Sequence, residues 1–318
     1  MTDRLVLVTG AAALVAVAAV LWSVFLRPDP PALALGRAYA DPAPPPPEGG
    51  MRVFHLGHSL VGRDMPAMLA QLAGDGHRFD SQLGWGASLR QHWEPDEEIP
   101  GFAAENDHPR FRPAREAVAT GDYDAVVLTE MVEIRDAIKY HQSGRYLARW
   151  AALAREANPA TRVYLYETWH RLDDAQGWLV RLDRDLGRYW KAELLAADIA
   201  ANAPGHPVYL IPAGQVMARL VRAIEAEGGS GALRSRDDLF QRRDDGTTDP
   251  IHPNDLGAYL VALTHYAVLY QRSPEGLPHR LRRADGSAAE APPEDVARLM
   301  QRVVWEVVTS LPETGVAR

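Results

Sequence analysis

A chain of 318 residues with a formal charge of −8 and no cysteine has no thiolate or disulfide chemistry available and no excess of basic residues to form a nucleic-acid face. Hydrophobic residues make up 47% and charged residues 24% of the chain, an ordinary globular composition. The residues after the first fifty are enough for one large α/β domain.

Residues 5–25 are almost wholly apolar, broken only by Thr9, Gly10 and Ser23. At about 1.5 Å per residue such a run can cross a hydrocarbon core of roughly 30 Å. Residues 1–27 are therefore expected to be an uncleaved membrane anchor. The alternative is a signal peptide, but the small residues Ala38 and Ala40 stand well beyond the apolar run, where a cleavage site normally follows closely. Residues 28–50, with Pro44 to Pro47 consecutive, read as a stiff Pro-rich linker. Residues 51–318 are the candidate functional domain.

That domain opens with an apolar-rich run over residues 53–56, of the length and type of a buried strand. Gly57 and then Ser59 follow. Met65, Met68, Leu69 and Leu72 then make a helical pattern expected to be capped by Asp64 and ended around Gly74. A serine between a parallel strand's carboxyl end and the next helix lies where open α/β sheets bind ligands. Ser59 is thus the candidate nucleophile, although Gly and Ser also suit a plain turn.

A second strand is expected over residues 78–83, running into the tight Gly84-Trp85-Gly86 loop. There the backbone N–H near Gly86 could face a reacting carbonyl oxygen, or the tryptophan could simply pack. Residues 94–113 are polar and read as a long loop over the sheet. Strands are expected over residues 123–130, 162–167 and 208–211, with helices over 143–156, 175–203 and 214–227. Residues 234–245 alternate in charge and read as solvated surface. A helix capped by Asn254 or Asp255 should run to Tyr270, and a last one should cover 296–310. Alternating strands and helices predict a three-layer α/β sandwich around a five-stranded parallel sheet with right-handed crossovers.

A serine hydroxyl needs a base to remove its proton. Asp249 and His252, three residues apart in a Pro-containing segment before the last-but-one helix, could supply the imidazole and the carboxylate that fixes its tautomer. His55 and His58 fall on a strand end where side chains alternate faces, so no metal site is expected.

Gly57-His58-Ser59-Leu60 and Asp249-Pro250-Ile251-His252 resemble the two blocks of SGNH or GDSL-type esterases, and Gly84-Trp85-Gly86 resembles their middle glycine block. The likeness spans roughly residues 51–270. It implies a flavodoxin-like SGNH hydrolase fold, a Ser59-His252-Asp249 triad without cofactor, and Gly86 as an oxyanion donor. The asparagine usual in a further block is replaced here by Leu128-Thr129-Glu130, so either Thr129 or backbone groups would serve in its place, or Glu130 would be held neutral. With the anchor, the resemblance implies a bacterial inner-membrane protein whose domain lies in the periplasm. There it would remove acetyl or similar acyl groups from a carbohydrate. Transfer of the acyl group to a sugar and non-catalytic glycan binding are the competing readings. The polar loops favour short acyl groups, and Trp85, Trp93 and Trp169 are candidates for stacking on sugar rings.

Overall fold

The computed structural model describes residues 31–40, 44–202, 206–231 and 233–317. The apolar segment over residues 5–25 lies outside them, and among the described residues no helix is long and apolar enough to cross a membrane.

Five parallel strands form the sheet: β1 (Arg52–His58), β2 (Arg78–Gly84), β3 (Ala125–Thr129), β4 (Arg162–Glu167) and β5 (Tyr209–Pro212), in the order β2-β1-β3-β4-β5. This is the flavodoxin-like order, which places the ligand crevice at the carboxyl ends where β1 and β3 lead their helices to opposite faces. Side chains alternate along each strand, so one sequence serves two cores. Val53, Val127, Tyr166 and Ile211 face the layer made by the helices Asp64–Ala73, Ala213–Ala226, Asp255–Tyr270 and Glu294–Val308. Phe54, Val126, Leu165 and Leu210 face Trp150, Leu147, Trp190 and Leu194 on the other side. Burial on both faces explains why these strands read as continuous apolar runs rather than as alternating ones.

The helix expected over 175–203 runs as Trp178–Asp185, a wider π-helical stretch Leu186–Leu195, and Ala196–Asn202. A short helix at Phe102–Asn106 interrupts the stretch expected to be a long loop, and further short helices at Leu89–Trp93, Ala114–Ala119 and Ile134–His141 fall where no helix was expected. Asp64 is the first helical residue rather than a cap, because its carboxylate instead accepts the Ala284 N–H at 2.9 Å. Asn254 does cap its helix, accepting from the N–H groups of Leu256 and Gly257.

The segment preceding the domain is partly docked on it. A helix at Pro31–Ala38 carries the buried Leu35 into the second core, and the Tyr39 hydroxyl donates to the Val208 carbonyl at 2.5 Å. The carbonyls of Pro44, Pro45 and Pro47 accept from Gln271, Arg162 and Arg272 respectively. Residues 44–47 therefore lie against the domain, because an extended proline run leaves its carbonyls free for outside donors.

Candidate active site

Ser59 follows the last residue of β1, partly exposed, at the head of a turn in which Val61 N–H and Gly62 N–H both donate to the His58 carbonyl. The two glycines around it have different tasks. Gly62 has φ +57° and supplies the left-handed residue that closes the turn. Gly57 lies within β1 and is needed for space: a Cβ there would come within 2.6 Å of the Thr129 Cβ and 3.0 Å of Val61 Cγ2.

Asp249 and His252 reach this point from the far end of the chain on β7 (Thr248–Pro253), which pairs antiparallel with β6 (Phe240–Arg242). The pair thus sits on the second strand of a hairpin, not in an open loop, and part of the stretch expected to be plain solvated surface is its first strand. His252 Nε2 lies 3.1 Å from Ser59 Oγ, and His252 Nδ1 lies 3.2 Å from Asp249 Oδ1. Burial works against ionisation of Asp249. The N–H groups of His252 and Ile251, at 2.9 and 2.8 Å, and the His252 ring outweigh it and hold the carboxyl down at about 2. Asp249 is therefore an acceptor through the neutral range. Ser59 and His252 border a cleft of about 430 Å³ whose walls include Arg242, Asn254 and Arg283.

Two buried histidines brace the turn from beneath. His58 Nε2 donates to the Glu130 carbonyl at 2.8 Å while its Nδ1 accepts the Leu60 N–H at 3.3 Å. His92 Nε2 donates to the Gly57 carbonyl at 2.9 Å, and its Nδ1 accepts from Gln82 Nε2 at 2.9 Å. Each ring is one donor and one acceptor, the neutral form, and burial pushes both down to about 4. Sequence reasoning missed His92 as a support, since its partners Gln82 and Gly57 are distant in the chain. His58 could be read only as a structural replacement.

β7 has its own buttress. Trp169 Nε1 donates to the Ile251 carbonyl at 2.9 Å and Leu172 N–H to the Pro250 carbonyl at 2.8 Å. The loop after β4 that carries them is tied to the loop after β3 through Arg181, which is fully buried. Arg181 reaches Glu133 and Asp174 through Nη1 at 2.8 and 2.7 Å, and Asp185 through Nε at 2.8 Å. Asp185 is also 3.2 Å from His170 Nε2. Burial alone would raise the Glu133 carboxyl, but the guanidinium groups of Arg135 and Arg181 hold it well below the usual range.

The remaining expected residues do not converge on the cleft. Gly86, exposed with φ +59°, lies two residues beyond Gly84, where the β1–β2 register ends opposite His58, and does not line the cleft. Thr129 is fully buried against Gly57, and its hydroxyl has no hydrogen-bond partner. Glu130 is also fully buried. Its Oε1 accepts the N–H groups of Met131 and Leu89 at 2.8 and 3.2 Å, tying the end of β3 to the helix after β2, and it does not line the cleft. Trp85 is 56% exposed, yet its indole N–H donates to Glu105 and its ring covers Gly101. Trp169 is buried, and Trp93 packs edge-to-face on Trp150, so neither is free to stack on a sugar.

Burial pushes the Glu130 carboxyl up to about 7. A folded-state value above the unfolded one means the folded chain holds its proton longer. The associated stability is present below about 4.5 and is lost as pH rises through about 7. Glu130→Gln, which keeps the acceptor, should therefore gain stability relative to the wild type between pH 5 and pH 8, by at most about 1.4 kcal/mol per pH unit. Urea unfolding at several pH values reads this. A difference that does not vary with pH would show that Glu130 does not titrate in that range.

No family model matches the chain, and no curated protein matches it. Among solved structures it is similar to a DUF4886 family protein from Bacteroides uniformis, with 15% identity, 81% of this chain and 95% of that one covered, and a TM-score of 0.48. It is also similar to a protein classed as a GDSL-like lipase from Parabacteroides merdae, with 14% identity, coverage of 71% and 99%, and a TM-score of 0.43. A carbohydrate esterase family 3 protein from Talaromyces cellulolyticus follows at 17% identity, coverage of 70% and 97%, and a TM-score of 0.30. Likenesses at these values carry no argument about chemistry, which rests on the chain's own geometry.

Proposed function

We propose that the protein is a serine esterase that hydrolyses short acyl esters, acetyl above all, on a polar carrier such as a carbohydrate. The observation that carries this reading is the relay from Ser59 Oγ to His252 Nε2 at 3.1 Å and from His252 Nδ1 to Asp249 Oδ1 at 3.2 Å, at the wall of a cleft. In this reading His252 takes the Ser59 proton as Oγ attacks the ester carbonyl. The imidazolium, stabilised by Asp249, then returns that proton to the departing alkoxide. A water, deprotonated by His252, attacks the acyl-Ser59 ester, and the proton passes back to Oγ as the free acid leaves. The N–H of Gly86 is the candidate donor to the oxyanion. Water can reach Ser59 in the open cleft, which favours hydrolysis over transfer to a second hydroxyl.

Specificity follows from the walls. Arg63, Asp64, Arg242, Asp255, Arg283 and Glu290 surround the cleft, and its apolar lining from Leu60, Val61, Met65, Ala258 and Val261 is the smaller share, so a long apolar chain would lie against charged groups. With one phenolic leaving group, the acetyl ester should have at least a tenfold higher kcat/KM than the decanoyl ester. Steady-state kinetics on the two esters make the test, and the reverse order would contradict a short-acyl enzyme. A periplasmic, membrane-tethered setting is part of the same proposal and rests on the apolar composition of residues 5–25. Recovery of the full chain from cells in the membrane fraction, with the domain open to protease from the periplasmic side, would test it.

A further inference from the structure

The catalytic cleft does not end at Ser59. Gly62, Arg63, Asp64 and Arg283 line both it and a second cleft of about 720 Å³, so the two clefts adjoin across the start of the Asp64–Ala73 helix. Two contacts fix the shared wall. Arg283 is held by both oxygens of Asp255 at 2.9 and 2.5 Å, and the Ala284 N–H is bound by Asp64.

Resting on the esterase reading, we infer that the second cleft is the carrier subsite, and that the carrier is an uncharged, polyhydroxylated chain of saccharide type. Its apolar lining is made by Ala67, Ala70, Phe79 and Pro109. Its rim carries donors, Arg63 and Arg110, as well as acceptors, Asp64, Glu105 and Asp285. A sugar hydroxyl both donates and accepts, so a rim of both kinds satisfies it. A polyanion or a polycation would be repelled by half of that rim, and a lipid chain would leave those charges desolvated. The rim is also partly organised in advance. The Arg110 guanidinium lies 5.0 Å over the Phe79 ring, the Arg110 N–H donates to His108 Nδ1 at 3.2 Å, and Arg63 donates to the Ala104 carbonyl at 2.5 Å. Trp85 lines neither cleft, and its indole N–H is held by Glu105 on the rim of the second.

The test separates carrier binding from turnover. The full chain bearing Ser59→Ala is titrated by calorimetry with xylo-, manno- and cello-hexaose and with a hexameric uronate. At least one neutral hexaose should bind more tightly than the uronate. Adding Ala67→Trp, which fills the cleft from its apolar lining, should abolish that binding, and adding Arg110→Ala should weaken it about tenfold. With Ser59 present, the same two changes should lower kcat/KM on an acetylated form of the bound hexaose at least tenfold more than on a small aryl acetate. Tighter binding of the uronate, binding unaffected by either change, or no binding of any neutral hexaose would overturn the carrier assignment. Failure of the wild type to hydrolyse the aryl acetate would instead remove the esterase reading and leave the binding result standing.

Discussion

Ser59→Ala should reduce hydrolysis of an activated acetate ester by roughly 10⁵-fold, and His252→Ala should cost nearly as much, because members of a triad act as a unit. Ser59 Oγ has one base within reach, His252 Nε2 at 3.1 Å, so without the ring the hydroxyl keeps its proton. Asp249→Asn should leave more activity than either. The amide still accepts the N–H groups of Ile251 and His252 through one oxygen, but it supplies no negative charge to the imidazolium. Rates measured on the three variants, with folding checked by far-ultraviolet circular dichroism, give the ordering. Full activity in Ser59→Ala would mean another nucleophile, and full activity in His252→Ala another base.

Arg181→Met should destabilise the fold by about 3–5 kcal/mol, the range for breaking a buried ion pair on one side. Methionine roughly fills the volume but leaves the buried Asp185, and Glu133 and Asp174 beside it, without their common partner. Since typical domains are stable by about 5–15 kcal/mol, that loss is a large share of the total. It should also reach the site. The loop that Arg181 anchors carries Trp169 and Leu172, whose hydrogen bonds hold the backbone of β7 next to Asp249 and His252. Urea unfolding of wild type and variant measures the first effect. A loss below about 1 kcal/mol would place the cluster with ordinary surface charges.

The layout of the fold was legible where patterning is strong. β4 reads directly because residues 162–167 are bounded by Asn158-Pro159 and a polar turn, and the final helices read from apolar spacing and the Asn254 cap. The short helices between residues 89 and 141 were not legible, because their apolar residues are few and depend on partners such as Trp150, supplied by another helix. Ser59, Asp249 and His252 could be named from residue type and order. Their union rests on a hairpin, β6–β7, hidden in alternating charge, whose pairing is set by neighbours rather than by β-branched composition.

Glu130 marks the limit of reading a block by likeness. Its position in the chain suggested an oxyanion role, whereas its carboxyl turns inward to two backbone N–H groups, an orientation fixed by tertiary packing. Arg181 was missed for a similar reason. On a long amphipathic helix an arginine is expected in solvent, and only its three acidic partners, Asp185 one turn on in the same helix and Glu133 and Asp174 brought by two loops, offset the cost of its burial. The residues around Pro44 to Pro47 showed the composition of a spacer, yet their carbonyls find Gln271, Arg162 and Arg272 on the domain surface.

The most direct measurement is reaction of the full chain with a fluorophosphonate, followed by peptide mass mapping of the adduct. One phosphonyl group on Ser59, absent from Ser59→Ala and formed much more slowly in His252→Ala, is the predicted result. An adduct on a different serine, or no adduct under conditions that label a known serine esterase to completion, would contradict the assignment of Ser59 as an activated nucleophile.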